Sequence, residues 1–332
     1  MPKHLLPLSG SGQPLLRDTY ERIRPLVDEV WVVTEEPQVA MIRAILPELT
    51  DSQVVIEPAA RGTTNALGLA ALALIDRDPS AIMISLPADH VVKGIVGYRR
   101  SVRTALRVAA TARELVTIGL EPTFPATGFG YIKAADQVSI GRSRAYRVQR
   151  FVEKPDLTAA EAFLAEGGYY WNLAMFSWPV AVFWEELERY GPAHAAGLRR
   201  VARARREGAA ADAAAGYRRL PEQAVDYTVM ERTQRLLLVP ASFGWLDVGS
   251  WSELVGLFRP GRDGNVVEGE AVLVDSHGCF ISSAGRLVAA VGLENMIVID
   301  TGDAVLVCPR SRAQDVKRVV EELRRTSRTQ YL

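Results

Sequence analysis

A carboxylate and an imidazole follow a segment that has the composition of a buried strand. Five of the six residues from Ala81 to Leu86 are apolar, and Asp78-Pro79-Ser80 precedes them, which predicts a short strand buried on both faces. Asp89 and His90 come just after it, and in open α/β sheets ligands bind outside the carboxyl ends of the strands. Asp89 could equally cap a turn and His90 could be a surface histidine, so this stretch alone leaves both interpretations open.

A second carboxylate, Asp247, lies between Trp245 and Trp251, a setting that is unusual for solvated surface. Carboxylate oxygens suit Mg²⁺, which takes one or two of them from a protein and its other ligands from water and phosphate. Lys154 is a compact cation that suits a phosphate. Such a set fits phosphoryl or nucleotidyl transfer, whereas a glycoside hydrolase needs two carboxylates but neither the lysine nor an α/β start.

Three further motifs have structural explanations when each is taken alone. Gly128-Phe129-Gly130 could be only a tight turn, because glycine reaches positive φ at little cost. Glu153-Lys154-Pro155 could be a surface ion pair, and Trp171-Asn172 a core tryptophan beside a polar turn. For each motif alone the structural explanation is favoured.

Composition excludes several classes of protein. The chain has 332 residues, of which 48% are hydrophobic and 23% charged, and its 39 basic residues balance 39 acidic ones. A nucleic-acid binder would usually show a basic excess, so we expect no nucleic-acid partner. No apolar run approaches the ~20 residues of a membrane span, and no signal-like segment opens the chain. We therefore expect a cytoplasmic protein, with no membrane partner, in which Cys279 and Cys308 are reduced.

Strands and helices alternate along the first third of the chain, which is typical of a mostly parallel sheet with helices on both faces. The predicted strands are 30–34, 54–57, 81–86 and 116–119, and the predicted helices include 15–27 and 97–112. Later segments predict a strand over 147–153, a helix opened by a capping box at 158–161, a solvated helix and loop over 198–216, a helix over 226–232 and a loop over 243–251.

A domain boundary is predicted near residues 260–264, giving domains 1–260 and 261–332. Beyond it, short apolar segments recur every ~8 to 10 residues, which suggests a small all-β unit. A capping box at 311–314 predicts a final helix.

Eight modest motifs, taken in order, resemble the bacterial mannose-1-phosphate guanylyltransferases, and the resemblance runs from Pro2 to about Leu323. They are Pro2-Lys3, Glu57-Pro58 with Arg61-Gly62-Thr63-Thr64, Leu86-Pro87-Ala88-Asp89-His90, Thr127-Gly128-Phe129-Gly130-Tyr131-Ile132, Phe151-Val152-Glu153-Lys154-Pro155, Trp171-Asn172, Asp226-Tyr227-Thr228-Val229-Met230-Glu231, and Trp245 to Trp251. The resemblance implies an α/β fold: a Rossmann-like nucleotidyltransferase domain with a mixed, mostly parallel sheet, plus a small C-terminal β-helix-like domain. It implies that GTP and mannose 1-phosphate give GDP-mannose and pyrophosphate by Mg²⁺-assisted in-line attack on the α-phosphorus.

The resemblance also implies roles for individual residues. Asp89 and Asp247 would hold Mg²⁺, and Lys3 would approach the phosphates. The nucleotide would contact Glu57, Arg61, Thr63 and Asp89, and mannose 1-phosphate would contact Gly130, Glu153, Lys154 and Asn172. The oligomeric state is left open, with a homodimer as one candidate. Two alternatives also stay open: transfer of another nucleotide to another hexose 1-phosphate, and a non-catalytic sugar-nucleotide-binding subunit.

The chain departs from the family pattern at three places. Leu173 and Ala174 follow Trp171-Asn172, where the family commonly has Ser-Gly. The family also has an apolar strand and a glycine-rich phosphate loop before its Pro-Lys, and Ser9 to Gly12 is no substitute for them. We therefore expect either that Met1 is an internal methionine of a longer chain or that the protein is shortened and catalytically weak or inactive. Some relatives carry a fused isomerase domain after the β-helix, and because this sequence ends at Leu332 we expect no isomerase activity.

Overall fold

The structure, a computed structural model, describes residues 2–6, 11–247, 260–283, 285–328 and 331. The chain forms two compact units. The larger unit comprises Tyr20–Ala88 and Val92–Gly244, and the smaller one comprises Met1–Thr19, Asp89–Val91 and Trp245–Leu332. No helix in the described ranges is long and apolar enough to cross a membrane.

Strands and helices alternate along the chain as far as Leu120, and an antiparallel hairpin and a largely helical stretch then follow within the first 244 residues. The strands are β1 (Val32–Glu35), β2 (Val54–Glu57), β3 (Ile82–Ser85), β4 (His90–Lys93), β5 (Leu115–Leu120), β6 (Tyr131–Ile140), β7 (Ser143–Val152), β8 (Tyr169–Pro179), β9 (Leu236–Pro240) and β10 (Gly244–Asp247). The helices are α1 (Leu15–Ile23), α2 (Val39–Ile45), α3 (Thr63–Arg77), α4 (Ile95–Ala112), α5 (Leu157–Glu166), α6 (Val180–Tyr190), α7 (Pro192–Arg206) and α8 (Ala210–Arg218), followed by a π-helical turn at Asp226–Met230.

The main sheet of the larger unit has six strands in the order β3-β8-β5-β9-β7-β6. β8 is antiparallel to both β3 and β5, β9 is parallel to β5, and β7 is antiparallel to both β9 and β6. Four strands, β3, β5, β9 and β6, therefore share one direction, and β7 and β8 oppose them. β1 and β2 form a separate parallel pair. The mixed, mostly parallel sheet is thus confirmed, with β8 inserted between two strands that the alternating pattern would have placed side by side.

The core of the larger unit covers the sheet with aromatic and aliphatic side chains. Trp178 of β8 is fully buried and stacks on Phe183 of α6, with ring centroids 4.4 Å apart, and lies 5.8 Å from Phe176. Nearly every side chain of β8 is buried, so the strand carries no two-residue alternation of polar and apolar positions. Because this alternation is absent, local sequence patterns do not predict the strand.

Two predicted helix boundaries are corrected. α1 ends at Ile23 rather than Val27, because Pro25 has no backbone N–H and the chain continues as a 3₁₀ turn over Arg24–Leu26. α5 begins at Leu157, and its N-cap is Asp156, whose carboxylate accepts a hydrogen bond from the Ala159 backbone N–H at 2.8 Å. The capping box predicted at 158–161 therefore begins two residues too late, because Asp156 offers the better cap.

The arginine- and alanine-rich segment 198–216 is not simply a solvated helix and loop. It forms most of α7 and α8, and the side chains of Leu198, Val201 and Ala213 are buried in the core. Leu198 and Val201 are three residues apart and so share one helix face. Because arginine and alanine dominate the composition of the segment, composition alone did not predict this narrow apolar face.

The smaller unit contains stacked short strands. They are β11 (Val266–Glu268), β12 (Ala271–Val274), β13 (Phe280–Ser283), β14 (Val288–Val291), β15 (Met296–Asp300) and β16 (Val305–Pro309), and α9 (Val316–Arg325) follows. β11, β13 and β15 stack in parallel, as do β12 and β14, and β16 closes the first stack antiparallel to β15. Parallel stacking of successive turns around Phe280, Ile297 and Ile299 is the arrangement of a β-helix. α9 begins at Val316, after a 3₁₀ segment over Arg310–Asp315 that replaces the predicted capped start.

Candidate active site

Three of the predicted site residues meet in the smaller unit. The Lys3 Nζ atom lies 2.8 Å from Asp89 Oδ2 and 3.7 Å from Asp247 Oδ1. Lys3 begins a 3₁₀ turn, Asp89 immediately precedes β4, and Asp247 is the last residue of β10. β4 and β10 pair with each other, which places the two carboxylates on either side of one ammonium group. Val248 to Trp251, the rest of the predicted tryptophan motif, lie outside the described residues.

The carboxylate pair suits a divalent cation. Burial opposes ionisation of Asp89, but the hydrogen bond and the charge of Lys3 favour it, and the pKa of the Asp89 carboxyl is lowered. Asp89 is therefore ionised at neutral pH, and the Lys3 ammonium already takes the place of a cation between the two carboxylates. The described residues include no cluster of three or more His, Cys, Asp or Glu that could hold a metal. Two carboxylates suffice for Mg²⁺, because water and phosphate supply its remaining ligands.

A histidine and a tryptophan lie beside this pair. His90 is only 5% exposed, and its Nε2 atom lies 3.8 Å from Asp247 Oδ1. The indole N–H of Trp245 donates to His90 Nδ1 at 3.1 Å, and the two rings meet edge to face. The hydrogen bond joins residues 155 positions apart, which is why the sequence did not pair them.

Four other predicted residues meet in the larger unit. The Asn172 backbone N–H donates to the Gly130 carbonyl at 2.8 Å, and Lys154 Nζ lies 3.3 Å from Glu153 Oε1. A methyl group on Gly130 would collide with Glu153 Oε2 and lie 3.1 Å from the Asn172 Cβ atom. The absence of a side chain at Gly130 therefore lets the Glu153 carboxylate approach Asn172. We call these four residues the Glu153 cluster.

The backbone on both sides of the Glu153 cluster is unusual. Lys154 has φ of +49° and Ala174 has φ of +51°, both in the left-handed region that favours glycine. Asn172 Oδ1 accepts a hydrogen bond from the Ala174 N–H at 2.9 Å, which holds that turn. Ala174 thus adopts the conformation that the family's glycine takes easily, at a cost of about 1–2 kcal/mol, while Leu173 is fully buried.

Burial raises the pKa of the Glu153 carboxyl, and the charge of Asp226 raises it further. Its Oε2 atom is buried and has no hydrogen-bond partner in the described part of the chain. Burial alone would lower the pKa of Lys154, but the Glu153 carboxylate more than compensates and raises it. An unsatisfied buried acceptor beside an ammonium group suits a ligand that brings a hydroxyl donor and a phosphate.

Asp226 was missed as a site residue, although its motif supported the resemblance. Its Oδ1 accepts a hydrogen bond from Asn172 Nδ2 at 2.8 Å, and burial raises the pKa of its carboxyl. Its segment was predicted to be an ordinary helix over 226–232, whereas it forms a π-helical turn. Such turns occur frequently at functional sites, but the sequence alone does not show them.

The remaining three predicted residues are held by the chain between Tyr217 and Val225. The Tyr217 hydroxyl donates to Glu57 Oε2 at 2.7 Å, while burial raises the pKa of Glu57. Arg61 Nε donates to the Leu220 carbonyl at 3.0 Å, and Thr63 Oγ1 accepts from the Val225 N–H at 2.9 Å. These residues are fixed by long-range partners that lie 159 to 162 positions further along the chain.

Residues 220–231, here called the brace segment, contact both groups of residues in the larger unit. At its start it binds Arg61 and Thr63, as described above. At its end the Asp226 carboxylate binds Asn172, and Glu231 Oε1 accepts from the Glu153 backbone N–H at 3.0 Å. A single stretch of chain therefore positions residues of the predicted nucleotide and sugar-phosphate sites.

Comparison with known proteins identifies the family. The family model "Nucleotidyl transferase" matches residues 1–260, and that of the "MannoseP isomerase/GMP-like beta-helix domain" matches residues 269–323. The chain belongs to the nucleotidyl transferase family.

Individual relatives of this nucleotidyl transferase are similar along most of their length. An Escherichia coli mannose-1-phosphate guanylyltransferase is 36% identical, with 99% of this chain and 71% of the relative covered. The xanthan biosynthesis protein XanB of Xanthomonas campestris is 37% identical, with 99% and 70% covered. A Thermus thermophilus crystal structure, named a mannose-1-phosphate geranyltransferase, superposes with a TM-score of 0.84 at 32% identity and covers 97% of this chain and 92% of its own. Nucleotidyl transferases generally use a divalent metal.

Proposed function

We propose that this nucleotidyl transferase forms GDP-mannose and pyrophosphate from GTP and mannose 1-phosphate. The observation that carries the proposal is the sharing of the Lys3 ammonium between Asp89 and Asp247, which gives the charge pattern needed to bind a metal-bound triphosphate. The names of relatives that are 36–37% identical support the choice of substrates.

In the proposed reaction a phosphate oxygen of mannose 1-phosphate attacks the α-phosphorus of GTP in line. The new P–O bond forms as the bond between the α-phosphorus and the bridging oxygen breaks, and pyrophosphate leaves with that electron pair. Asp89 and Asp247 would hold Mg²⁺, which when bound neutralises phosphate charge. Lys3 would bind phosphate oxygens with the ammonium group that now binds both carboxylates. The protein thus supplies positioning and charge rather than covalent chemistry.

The Glu153 cluster would bind mannose 1-phosphate. The free Oε2 of Glu153 would accept a sugar hydroxyl, and Lys154, which is 59% exposed at its side chain, would bind the phosphate. Gly130 and Asn172 would shape the surface against which the sugar packs. Glu57, Arg61 and Thr63 would contact the nucleotide in positions fixed by Tyr217 and the brace segment.

A pyrophosphate-release assay tests the proposal. We expect turnover with GTP, mannose 1-phosphate and Mg²⁺, and much lower kcat/KM with ATP, UTP or dTTP, or with glucose 1-phosphate. Preference for another pair of substrates would replace the guanylyltransferase assignment. Binding of GDP-mannose without turnover of any pair would support a non-catalytic subunit instead.

A further inference from the structure

His90 is buried beside the carboxylate pair, yet the proposed reaction gives it no role. Its side chain is 7% exposed, whereas that of Asp247 is 31% exposed. A side chain so buried is poorly placed to touch a substrate, but its Nε2 atom faces Asp247 Oδ1 at 3.8 Å. The contact through which it can influence the reaction is therefore the one with the Asp247 carboxylate.

The hydrogen bond from Trp245 determines which nitrogen of His90 carries the proton. An indole N–H can only donate, so the Nδ1 atom that it contacts at 3.1 Å must present a lone pair. The imidazole is then neutral, and its one N–H is at Nε2, on the side of Asp247. His90 thus contacts the Trp245 indole, which can only donate a hydrogen bond, through Nδ1, and its Nε2 atom faces the Asp247 carboxylate.

We propose that His90 is a positioning residue for the metal site: its Nε2–H, fixed in that tautomer by Trp245, orients the Asp247 carboxylate. The Asp247 Oδ1 atom faces both Lys3, at 3.7 Å, and His90, at 3.8 Å. Both distances are longer than a hydrogen bond, and contacts of this kind tighten when a site binds its ligands. With Oδ1 held by N–H donors, the other carboxylate oxygen is left to bind the cation. The inference rests on the proposed function only in assigning Asp247 to the metal.

The magnitude follows from the general behaviour of residues that hold metal ligands. Replacing a partner of a metal-bound carboxylate typically costs about 10- to 100-fold in metal affinity. We expect that loss for His90→Leu, which removes the donor. His90→Gln keeps an N–H donor and should retain an affinity between those of His90→Leu and the unaltered protein.

The experiment uses the full chain without substrates and has two readouts. The first is long-range ¹H–¹⁵N NMR of protein labelled at histidine, which distinguishes the two imidazole tautomers. We expect a protonated Nε2 and an unprotonated Nδ1 at His90, and a mixture of tautomers after Trp245→Phe. The second is calorimetric titration with Mn²⁺ alone, in which affinity should fall in the order unaltered protein, His90→Gln, His90→Leu.

Matched controls separate this role from packing. Trp178→Phe makes the same change at a buried indole whose N–H has no hydrogen-bond partner among the residues that the structure describes, and His277→Gln makes the same change at an exposed histidine of the smaller unit. Both controls should bind Mn²⁺ as the unaltered protein does. If His90→Leu does not fold, the tautomer of His90 and the Mn²⁺ affinity of His90→Gln still test the positioning role.

A protonated Nδ1 at His90, or unchanged Mn²⁺ affinity in folded His90→Leu, would overturn the proposal. Because neither readout contains GTP or a sugar phosphate, both results stand even if the protein proves to use other substrates. Failure of the positioning role and failure of the guanylyltransferase assignment are thus told apart.

Discussion

Replacement of Gly130 by alanine tests the Glu153 cluster with a single methyl group. A Cβ atom at this position would overlap Glu153 Oε2 and lie 3.1 Å from Asn172 Cβ and 3.4 Å from Asn172 Nδ2. The φ angle of Gly130 is not among the positive values, so alanine brings no backbone strain and the effect is purely steric. Asn172 is held by its backbone and by Asp226, so the Glu153 carboxylate must move.

Added atoms in a well-packed site cost about 1–3 kcal/mol. The carboxylate ends a flexible side chain, which favours the lower half of that range, about 1–2 kcal/mol. Each 1.4 kcal/mol corresponds to a tenfold change in affinity, so we expect about a 5- to 30-fold weaker affinity for mannose 1-phosphate. The KM for GTP should change little, because the residues that would contact the nucleotide keep their partners.

Gly128→Ala is the matched control, since a Cβ atom at Gly128 meets nothing within 4 Å and the two glycines belong to the same turn. Initial rates of pyrophosphate release give both KM values, and calorimetry gives the affinity for mannose 1-phosphate directly. Thermal melting shows whether each variant is folded. Equal KM values for mannose 1-phosphate in Gly130→Ala and Gly128→Ala would refute the steric argument, and so would an equal rise in the KM for GTP.

Three further predictions concern individual carboxylates. Asp89→Asn and Asp247→Asn should each remove most metal-dependent turnover, and near-normal rates in either variant would contradict its assigned role. Burial raises the pKa of Glu153, so the protonated side chain stabilises the fold. That stability is complete below about pH 4.3, the ordinary pKa of glutamate, and is lost as the pH rises through the raised pKa. Glu153→Gln, which resembles the protonated form, should therefore melt at a higher temperature than the unaltered protein at neutral pH. The difference in melting temperature should therefore vanish near pH 4, and a lower melting temperature of Glu153→Gln at neutral pH would contradict this reasoning. Tyr217→Phe removes the hydroxyl that donates to Glu57, a hydrogen bond to a charged group worth about 1.5–3 kcal/mol of folding stability, so thermal melting should show a lower melting temperature. Because Glu57 loses the group that fixes it, the KM for GTP should also rise while that for mannose 1-phosphate stays constant.

Local sequence patterns predicted the positions of most early strands and helices, and the rule that ligands bind past strand ends led to Asp89. Strand β8 was not predicted, because its side chains are buried on both faces and the two-residue period that signals a half-buried strand is absent. Its place between β3 and β5 depends on pairings of residues far apart in sequence, which no local pattern encodes.

The supports of the candidate site could not be predicted for a related reason. His90 and Trp245, or Glu57 and Tyr217, are joined by single hydrogen bonds across more than 150 residues. Asp226 looked like a polar residue on an ordinary helix, whereas its burial against Asn172 is a property of the folded chain. The sequence thus indicates which side chains could do chemistry, while the residues that hold them in place emerge only from the tertiary fold.

The strand order of the main sheet also determines when during synthesis the larger unit can fold. β5 ends at Leu120, and its parallel neighbour β9 ends at Pro240, so the ribosome adds 120 residues between them. At about 5–20 residues per second this takes roughly 6–24 s, during which the apolar β5 segment lacks that partner. β9 also joins β5 to β7, so its arrival completes the sheet. The nascent chain must therefore keep an aggregation-prone segment protected until Pro240 has been added.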